Sequence, residues 1–530
     1  MSTIAEPGGI AARPSTSTAE KAESGKLAPG ALGLTSVLFC IVTGAAPLAA
    51  MMFNVPVTVL GGGSGAPAAF LIATVVLTIF SVGYIEMSRR VTAAGGFYTF
   101  ITKGLGPVAG LGSGMLIAFC YIVFSAAVMG VFGYFAATSF NEWFGLDLPA
   151  YVYTAICLAI VTMFGFFHIE LTAKVLGVAL ACEIIALLAL AVGVLVDGGA
   201  NGLSLSPINP AEAFGNDEAT KTFGAAAAGV ALFGAFWSWV GFEMAPNYAE
   251  ESREPRKIAK AATYGSVIGL GIFYVFISWI FVMGWGIDGV APGVAGQFEG
   301  DYASAFYPLT DKYVGGGLTT ALEIFIITSS FACAMAFYNT AARYLYSLSR
   351  EEMLPKALAR TSDKHSPTVA GLVVTVITAA YILGFTIYDP STDAALLKLG
   401  TWTPLLGVLG ILGVQAIASF AIVRYFLTEA RDGFHPWKTL IAPVIGGVAQ
   451  VGACYLLISN RADLSGAGDV LFIKVLPYVP LVGFLAGVAL ALYIKFRDAR
   501  RFALIGSFAD DDPEVHEHHA AGGAFAPAGV

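Results

Sequence analysis

The sequence predicts an all-α membrane protein with about twelve transmembrane helices. Three observations support this fold class: 57% of the residues are hydrophobic, 12% are charged, and the mean hydropathy is +0.76. A soluble protein needs more polar surface than this composition supplies, so a bilayer must cover many of the apolar faces. Because about 20 apolar residues cross roughly 30 Å of hydrocarbon, each long apolar run is interpreted as one span.

The predicted spans follow one another with short polar connections. In chain order they lie near residues 32–58, 66–88, 107–138, 150–167, 173–196, 225–246, 261–285, 317–348, 368–387, 396–427, 439–459 and 472–496. We number these segments one to twelve. The region 31–500 therefore forms a single predicted transmembrane domain.

Lysine and arginine predict the orientation, because these residues collect in cytoplasmic loops. With both termini inside, only five of the 28 basic residues lie in or beside outward loops, namely Lys221, Lys312, Lys398, Arg461 and Lys474. The inverse topology would place the other 23 outside. We therefore expect a multi-pass protein of the cell membrane (inner or plasma membrane) with both termini in the cytoplasm.

The two ends of the chain differ from the apolar middle. Residues 1–30 are rich in Ala, Ser, Pro and Gly, and residues 501–530 contain an acidic run and three histidines. Both compositions predict disordered cytoplasmic tails. The six cysteines lie in apolar segments without CxxC spacing, so neither a metal site nor a disulfide framework is predicted. Nothing in the charge pattern indicates nucleic acid as a partner.

Segment one is interrupted near its middle, at residues 42–54. Gly44 permits unusual backbone angles, and Pro47 lacks an N–H and clashes with the preceding helical turn. Non-helical backbone at membrane depth needs protein or a water-filled cavity to supply partners, and the free N–H groups of a half-helix form an anion site. The alternative is a simple proline kink packed against a neighbouring helix.

Segment six is interrupted in the same way, at residues 234–246. Gly241, Glu243 and Pro246 lie within this run, near the expected middle of the membrane. Interruptions at corresponding positions of two five-segment halves point to an inverted-repeat transporter whose binding site lies between the halves. Segments eleven and twelve then follow the 5+5 repeat as two additional C-terminal helices.

Three local motifs now resemble the amino acid, polyamine and organocation (APC) superfamily of permeases. The first is GGFYTF at 95–100 followed by GLGP at 104–107, and the second is WVGFE at 239–243 followed by EESREPRKI at 250–258. The third is NTAAR at 339–343 followed by SREEMLP at 349–355. The resemblance implies the leucine-transporter fold, and the motifs together cover most of residues 32–430.

The resemblance also assigns the central site. Family members hold the carboxylate of the substrate on the loosened backbone of segment one, and its amino group on carbonyls of segment six. The corresponding residues here are Thr43, Gly44, Ala45, Ala46, Trp237, Ser238, Trp239 and Val240, with Gly241 closing the same stretch. The stretch 237–241 is similar to one that carries a gate tryptophan in the arginine/agmatine antiporter, so Trp237 is the predicted gate. A tryptophan that merely packs in the core is the alternative.

Two acidic residues inside the membrane are candidates for proton coupling, because an ionisable group there usually marks a pathway. Glu243 follows the interruption of segment six, and the alternative is a structural acceptor for freed backbone amides. Glu183 lies in segment five, near a position where some proton-coupled relatives carry a lysine. The alternative for Glu183 is a helix-paired structural carboxylate. Glu323, at the start of segment eight, receives no role.

Segment eight supplies the remaining candidates. Phe337 and Asn339 lie near the expected site, where an aromatic ring and an amide suit a substrate cavity. Thr328, Ser329 and Ser330 have hydroxyls of the kind that ligate sodium in relatives, although proton coupling is the stronger prediction. At the cytoplasmic ends, several arginines and glutamates are candidates for an inner-gate ion network: Arg253, Arg256, Arg343, Arg350, Glu250, Glu251, Glu351 and Glu352. The alternative is a basic cytoplasmic flank without a gate function.

These observations predict a secondary active transporter that imports amino acids by alternating access, coupled to protons and without a cofactor. The expected partners are a small-molecule substrate and the lipid bilayer. A polyamine or organic-amine permease and an amino acid exchanger are alternatives within this class. A nutrient sensor on a permease scaffold is a further alternative, although it should carry longer signalling tails. No nucleotide-binding loop or nucleophile motif is present, so an enzyme is not expected.

Overall fold

The computed structural model describes residues 30, 32–91, 95–166, 169–211, 226–297, 302–362 and 366–507, with the side chains of 169–176 excluded. Within these ranges the chain is helical, and its only β-type pairing is one isolated bridge between Leu32 and Ser252. The predicted all-α membrane fold is confirmed. Most of the two predicted tails, residues 1–29 and 508–530, lies outside the described residues.

The helices are named here in chain order. They are α1 (Leu34–Ala45), α2 (Pro47–Gly62), α3 (Ala66–Ser88), α4 (Phe97–Leu105), α5 (Pro107–Phe144), α6 (Ala150–Phe164), α7 (Ile169–Asp197), α8 (Ala227–Trp237), α9 (Pro255–Trp285), α10 (Val290–Gly296), α11 (Tyr307–Tyr313), α12 (Gly316–Arg350), α13 (Thr368–Tyr388), α14 (Gly400–Thr428), α15 (Ala442–Ser459), α16 (Arg461–Ser465), α17 (Leu471–Val475), α18 (Tyr478–Arg497) and α19 (Ala499–Ala503). Several begin with proline in the first turn, where the missing N–H costs no hydrogen bond.

Ten stretches of the described chain are long and apolar enough to cross a membrane. The first, Leu34–Ser88, contains predicted segments one and two, because the chain continues from α2 into α3 through a short 3₁₀ turn at Gly63–Gly65. Predicted segment four corresponds to Ala150–Phe164, which has 15 residues and is shorter than a full span. The number of twelve crossings and the inverted repeat stay predictions.

Small residues bring α2 and α8 into direct backbone contact. A Cβ atom added at Gly61 would lie 2.4 Å from the backbone nitrogen of Ala231 and 2.6 Å from the carbonyl oxygen of Ala227. A Cβ atom at Gly234 would lie 2.4 Å from the hydroxyl of Thr58. Such close approach is typical of membrane helices, whose association depends on tight packing rather than on the hydrophobic effect. The two half-helices therefore pack as one unit.

The folded part of the chain extends beyond residue 500, the predicted boundary of the membrane domain. Helix α19 follows α18 directly, and Ile505 is buried. The amide of Gly506 donates to Oε2 of Glu351 at 2.8 Å, and the Arg501 guanidinium donates to the carbonyl of Glu352. Residues 499–507 thus pack against the end of α12 instead of leaving the protein surface.

The contact between α2 and α8 yields a stability prediction. We expect Gly61→Ala to separate the two helices and to lower the free energy of unfolding by about 1–3 kcal/mol, the usual cost of overpacking. Gly413→Ala is the matched control, because this helical glycine has nothing within 4 Å of an added Cβ. Thermal unfolding of both purified variants in detergent measures the effect. Equal midpoints for the two variants would contradict the packing described above.

Candidate functional site

The interruption of segment one is a single residue, Ala46. This residue joins α1 to α2 with φ 42° and ψ 69°, in the left-handed region that residues with a side chain rarely adopt. Its N–H donates to the carbonyl of Val42 at 3.0 Å, so the amide belongs to the last turn of α1. Pro47 then begins α2 without an N–H. The break predicted from Gly44 and Pro47 therefore exists and is sharply localised.

The amides that follow this break belong to the first turn of α2. N–H groups in the first turn have no acceptor within their own helix, and they carry the positive end of the helix dipole. The Ala49 amide finds a weak partner in the hydroxyl oxygen of Ser329, at 3.4 Å. The Ala50 amide donates to the carbonyl oxygen of Ala46 at 2.7 Å. The N-terminal end of α2 therefore begins directly after the predicted carboxylate site at residues 43–46, and that site stays a prediction.

The interruption of segment six faces the first one. Helix α8 ends at Trp237, four turn residues follow, and a 3₁₀ helix then runs over Phe242–Glu251. Gly241 has φ 116°, which favours glycine, and a Cβ atom there would lie 3.0 Å from the carbonyl carbon of Gly44. Glycine at 241 therefore permits both the turn and the contact between the two broken helices.

A cavity of about 60 Å³ lies where the two breaks meet. Its walls come from α1, α2, α5, α8, the turn after α8, and α12. The lining residues are Gly44, Ala45, Ala46, Ala49, Ala50, Phe53, Asn54, Val128, Val131, Trp237, Val240, Ile326, Ser330, Cys333 and Phe337. The wall is mostly apolar, and Asn54 and Ser330 contribute polar side chains to it.

The structure brings about half of the predicted site residues to this cavity. Those that line it are Gly44, Ala45, Ala46, Trp237, Val240 and Phe337. Those outside the lining are Thr43, Ser238, Trp239, Gly241 and Asn339. Asn339 lies beyond Phe337 on α12, and its carbonyl accepts from the Arg343 guanidinium at 3.2 Å.

The two tryptophans after α8 have different environments. Trp237 is half-buried in the cavity wall, and its ring packs edge-on against Phe53 at 5.5 Å between centroids. Trp239 is 1% exposed, packs against Tyr274 at 4.8 Å and donates its indole N–H to the carbonyl of Val267 at 3.4 Å. Trp239 is thus a packing residue. The gate role of Trp237 stays a prediction.

Two polar cavity residues are missing from the sequence-based substrate site. Asn54 lines the cavity and donates Nδ2–H to Oγ of Ser238 at 2.9 Å. Ser330 lines it as well, whereas sequence reasoning considered this residue only as a sodium ligand. An asparagine within an otherwise apolar half-helix was the available signal for the first of them.

Glu243 joins several polar groups around the break of segment six. Its carboxylate accepts from the Gly241 amide at 3.1 Å and from the hydroxyl of Tyr121 at 2.8 Å. Its backbone carbonyl accepts from the hydroxyl of Tyr84 at 2.8 Å. The side chain is 1% exposed and lies outside the cavity lining. This geometry matches an acceptor for freed backbone groups.

Glu183 lies one hydroxyl away from the open end of α2. Its Oε2 accepts from the hydroxyl of Ser329 at 2.8 Å, and Ser329 is the residue that accepts from the Ala49 amide. Glu183 is 2% exposed and is held within α7. A chain of two hydrogen bonds therefore connects this carboxylate to the cavity wall at Ala49.

The predicted ion network is present in part at the C-terminal end of α12. Arg343 donates to both carboxylate oxygens of Glu251, at 2.9 to 3.0 Å, and both side chains are buried. Arg350 pairs with Glu250 at 2.6 Å. A buried pair of this kind ties the end of segment six firmly to α12, because separating it would leave two charges without partners.

The fold and the cavity define the class of protein: a multi-pass, all-α membrane transporter with a central cavity between two interrupted helices. Residues 32–465 match the family model described as amino acid permease. The chain therefore belongs to the amino acid permease family, which confirms the resemblance seen in its motifs. Permeases are transporters rather than enzymes.

Several curated relatives resemble this chain at low identity over much of its length. The low-affinity putrescine importer PlaP of Escherichia coli (strain K12) is 22% identical over 402 residues, which cover 76% of this chain and 82% of the relative. The branched-chain amino acid permease BcaP of Bacillus subtilis (strain 168) is 22% identical over 465 residues, covering 83% and 86%. The gamma-aminobutyric acid permease of Escherichia coli (strain K12) is 23% identical over 410 residues, covering 76% and 83%.

The contrast between the tryptophans yields a second prediction. Trp239→Ala should lower the free energy of unfolding by about 3–5 kcal/mol, because it removes a fully buried aromatic side chain. Trp237→Ala should cost less, since this ring is half-buried and borders the existing cavity. Thermal unfolding in detergent ranks the two variants. A less stable Trp237 variant would show that Trp237, rather than Trp239, carries the packing of this turn.

Proposed function

We propose that the protein is a secondary active transporter that imports amino acids across the cell membrane by alternating access, with both termini in the cytoplasm. The observation that carries this proposal is the meeting of two interrupted helices at one small cavity. A continuous helix satisfies its backbone N–H and C=O groups with its own hydrogen bonds, whereas a break leaves some of these groups available to a ligand. The transport class follows from the family, and the substrate and coupling follow from the site.

The carboxylate of the substrate would bind at the first turn of α2. Its negative charge is favourable beside the positive helix end that follows Pro47, where the Ala49 amide has only a weak partner. The ammonium group would bind carbonyl oxygens of the turn at 237–240, where the chain leaves α8. The indole of Trp237 would cover the bound substrate with its apolar face, since it lies in the cavity wall.

Proton coupling is assigned to Glu183 and not to Glu243. While Glu183 is ionised, Ser329 must donate its one hydroxyl hydrogen to it, and the oxygen of Ser329 remains an acceptor for the Ala49 amide. Protonated Glu183 becomes a donor itself, so the hydroxyl of Ser329 is released to turn toward another acceptor. A change in the protonation state of Glu183 would thereby change the hydrogen bonds of Ser329 beside the first turn of α2. The carboxylate of Glu243 instead satisfies the backbone of its own turn.

An amine substrate is the second candidate, because one relative of similar identity is a putrescine importer. A diamine carries a second positive charge, which requires a carboxylate in or near the cavity. Glu183 supplies one within two hydrogen bonds of the wall. Exchange and sodium coupling are variants of the same transport cycle. Ser329 and Ser330 supply hydroxyls for sodium, although Ser329 is already bound to Glu183.

The test is uptake into proteoliposomes under an inward proton gradient, with a panel of neutral, basic and acidic amino acids, γ-aminobutyrate and putrescine. We expect gradient-dependent accumulation of an amino acid by the wild type. Glu183→Gln should abolish this accumulation and retain exchange against preloaded substrate, because the amide keeps an acceptor for Ser329 but cannot carry the proton. Glu323→Gln is the matched control, since Glu323 lies at the start of α12 away from the cavity lining.

Other outcomes would change the proposal in defined ways. If the Glu183→Gln variant accumulates the amino acid as well as the wild type does, Glu183 does not couple transport to protons. Transport only against preloaded substrate would show that the protein is an exchanger. Dependence on sodium would indicate that the hydroxyls of Ser329 and Ser330 bind the coupling ion. Uptake of putrescine without uptake of any amino acid would support the hypothesis of an amine permease. No flux of any solute would leave a permease-like nutrient sensor.

A further inference from the structure

The cavity contains unpaired polar side-chain atoms but no charged side chain among its described lining residues. Oδ1 of Asn54 and Oγ of Ser330 are both buried, and neither has a hydrogen-bond partner among the residues that the structure describes. The two residues are 3% and 0% exposed, and they lie on different helices, α2 and α12. Nearly all buried polar groups in proteins are hydrogen-bonded, so two unpaired atoms at one cavity require an explanation.

The hydrogen bonds around Asn54 fix which of its atoms is free. The hydroxyl of Ser238 lies 2.9 Å from the carbonyl of Gly234 and donates its one hydrogen there. Oγ of Ser238 can then act only as an acceptor toward Asn54, so it must meet the Nδ2–H group. Oδ1 is left as an acceptor on a residue that lines the cavity. One side of the amide anchors it, and the other remains available to a ligand.

Ser330 is distinguished from its neighbour in the same way. Ser329 is used by Glu183 and the Ala49 amide, whereas the hydroxyl of Ser330 has no partner. A free hydroxyl both donates and accepts. Together with Oδ1 of Asn54 it matches a ligand group that is itself a donor and an acceptor, such as a hydroxyl or a carboxamide.

We infer that Asn54 and Ser330 form a side-chain subsite that selects small neutral amino acids carrying a hydroxyl or carboxamide, such as threonine. This inference rests on the proposed function, which places the carboxylate of the substrate at the first turn of α2. The cavity of about 60 Å³ has room for only a few water-sized groups, which favours a short side chain. A second ammonium group finds no charged partner in the described lining, which disfavours diamines.

The sharpest probe is the pair threonine and valine, which have nearly the same shape and differ by the hydroxyl. A site that hydrogen-bonds a substrate hydroxyl discriminates strongly against the analogue without it, because its own buried polar groups are then left unpaired. We expect the wild type to transport threonine at least about tenfold more efficiently than valine, measured as initial rates in proteoliposomes.

Substitutions should remove this preference without removing transport. Asn54→Leu keeps the size of the side chain and removes its polar atoms, and Ser330→Ala removes only the hydroxyl. Each should reduce the ratio of threonine to valine by about tenfold, the effect of one hydrogen bond to a substrate. Ser113→Ala is the matched control, because Ser113 is also fully buried with an unpaired hydroxyl but lies outside the cavity lining. It should leave the ratio unchanged.

The outcomes separate this inference from the proposed function. Wild-type uptake of amino acids with equal rates for threonine and valine would overturn the subsite and leave the transporter assignment standing. Uptake of putrescine with no amino acid transported would overturn the proposed function itself. If Asn54→Leu fails to fold, as judged by gel filtration, Asn54→Ser provides the same test with a smaller change. A preference for threonine that persists in both folded Asn54 variants and in Ser330→Ala would also overturn the subsite.

Discussion

Backbone groups released at a helix break inside a membrane must find partners within the protein, because lipid offers none. The packing around both breaks follows from this requirement. The Gly241 amide is satisfied by the carboxylate of Glu243, two residues further along the same turn. The carbonyl of Ala45 accepts from the hydroxyl of Tyr274 at 3.3 Å. Each of these partners is buried, so the breaks are fixed features of the fold and not frayed helix ends.

The same requirement explains why two buried carboxylates have different hydrogen-bond surroundings. The carboxylate of Glu243 accepts from a backbone amide and a tyrosine hydroxyl, and moving a proton on or off it would disturb the turn that it holds. Within the described part of the chain, Glu183 has one hydroxyl partner, Ser329, which itself has a second contact at α2. A carboxylate with one rotatable partner is able to change protonation state with only a local rearrangement. The sequence identifies both residues as candidates because each is acidic within an apolar segment. Their hydrogen-bond partners, which the sequence does not reveal, distinguish one from the other.

Sequence reasoning located the breaks because glycine and proline act on the backbone directly and leave a local signal. It was weaker where the answer depended on the path of the chain after the break. Trp237 and Trp239 are two residues apart, and only the turn between them places one at the cavity and the other in the core. Asn54 was overlooked because one polar residue does not alter an apolar run. The packing of 499–507 has no periodic signal at all, since it depends on contacts with the distant end of α12.

These contacts indicate how a ligand in the cavity would connect the unit of α2 and α8 to α12. Helices α2 and α8 form one unit, joined by the close contact at Gly61 and by the hydrogen bond from Asn54 to Ser238. Helix α12 carries Ser330 at the cavity and Arg343 about 20 Å further along its axis, since each residue adds 1.5 Å. A ligand that bonds to both Asn54 and Ser330 would hold the unit against α12 at the cavity. Separating the buried pair of Arg343 and Glu251 would cost several kcal/mol unless water reaches both charges at the same time. The cavity and the ion pair thus lie about 20 Å apart along one helix, so α12 connects the two.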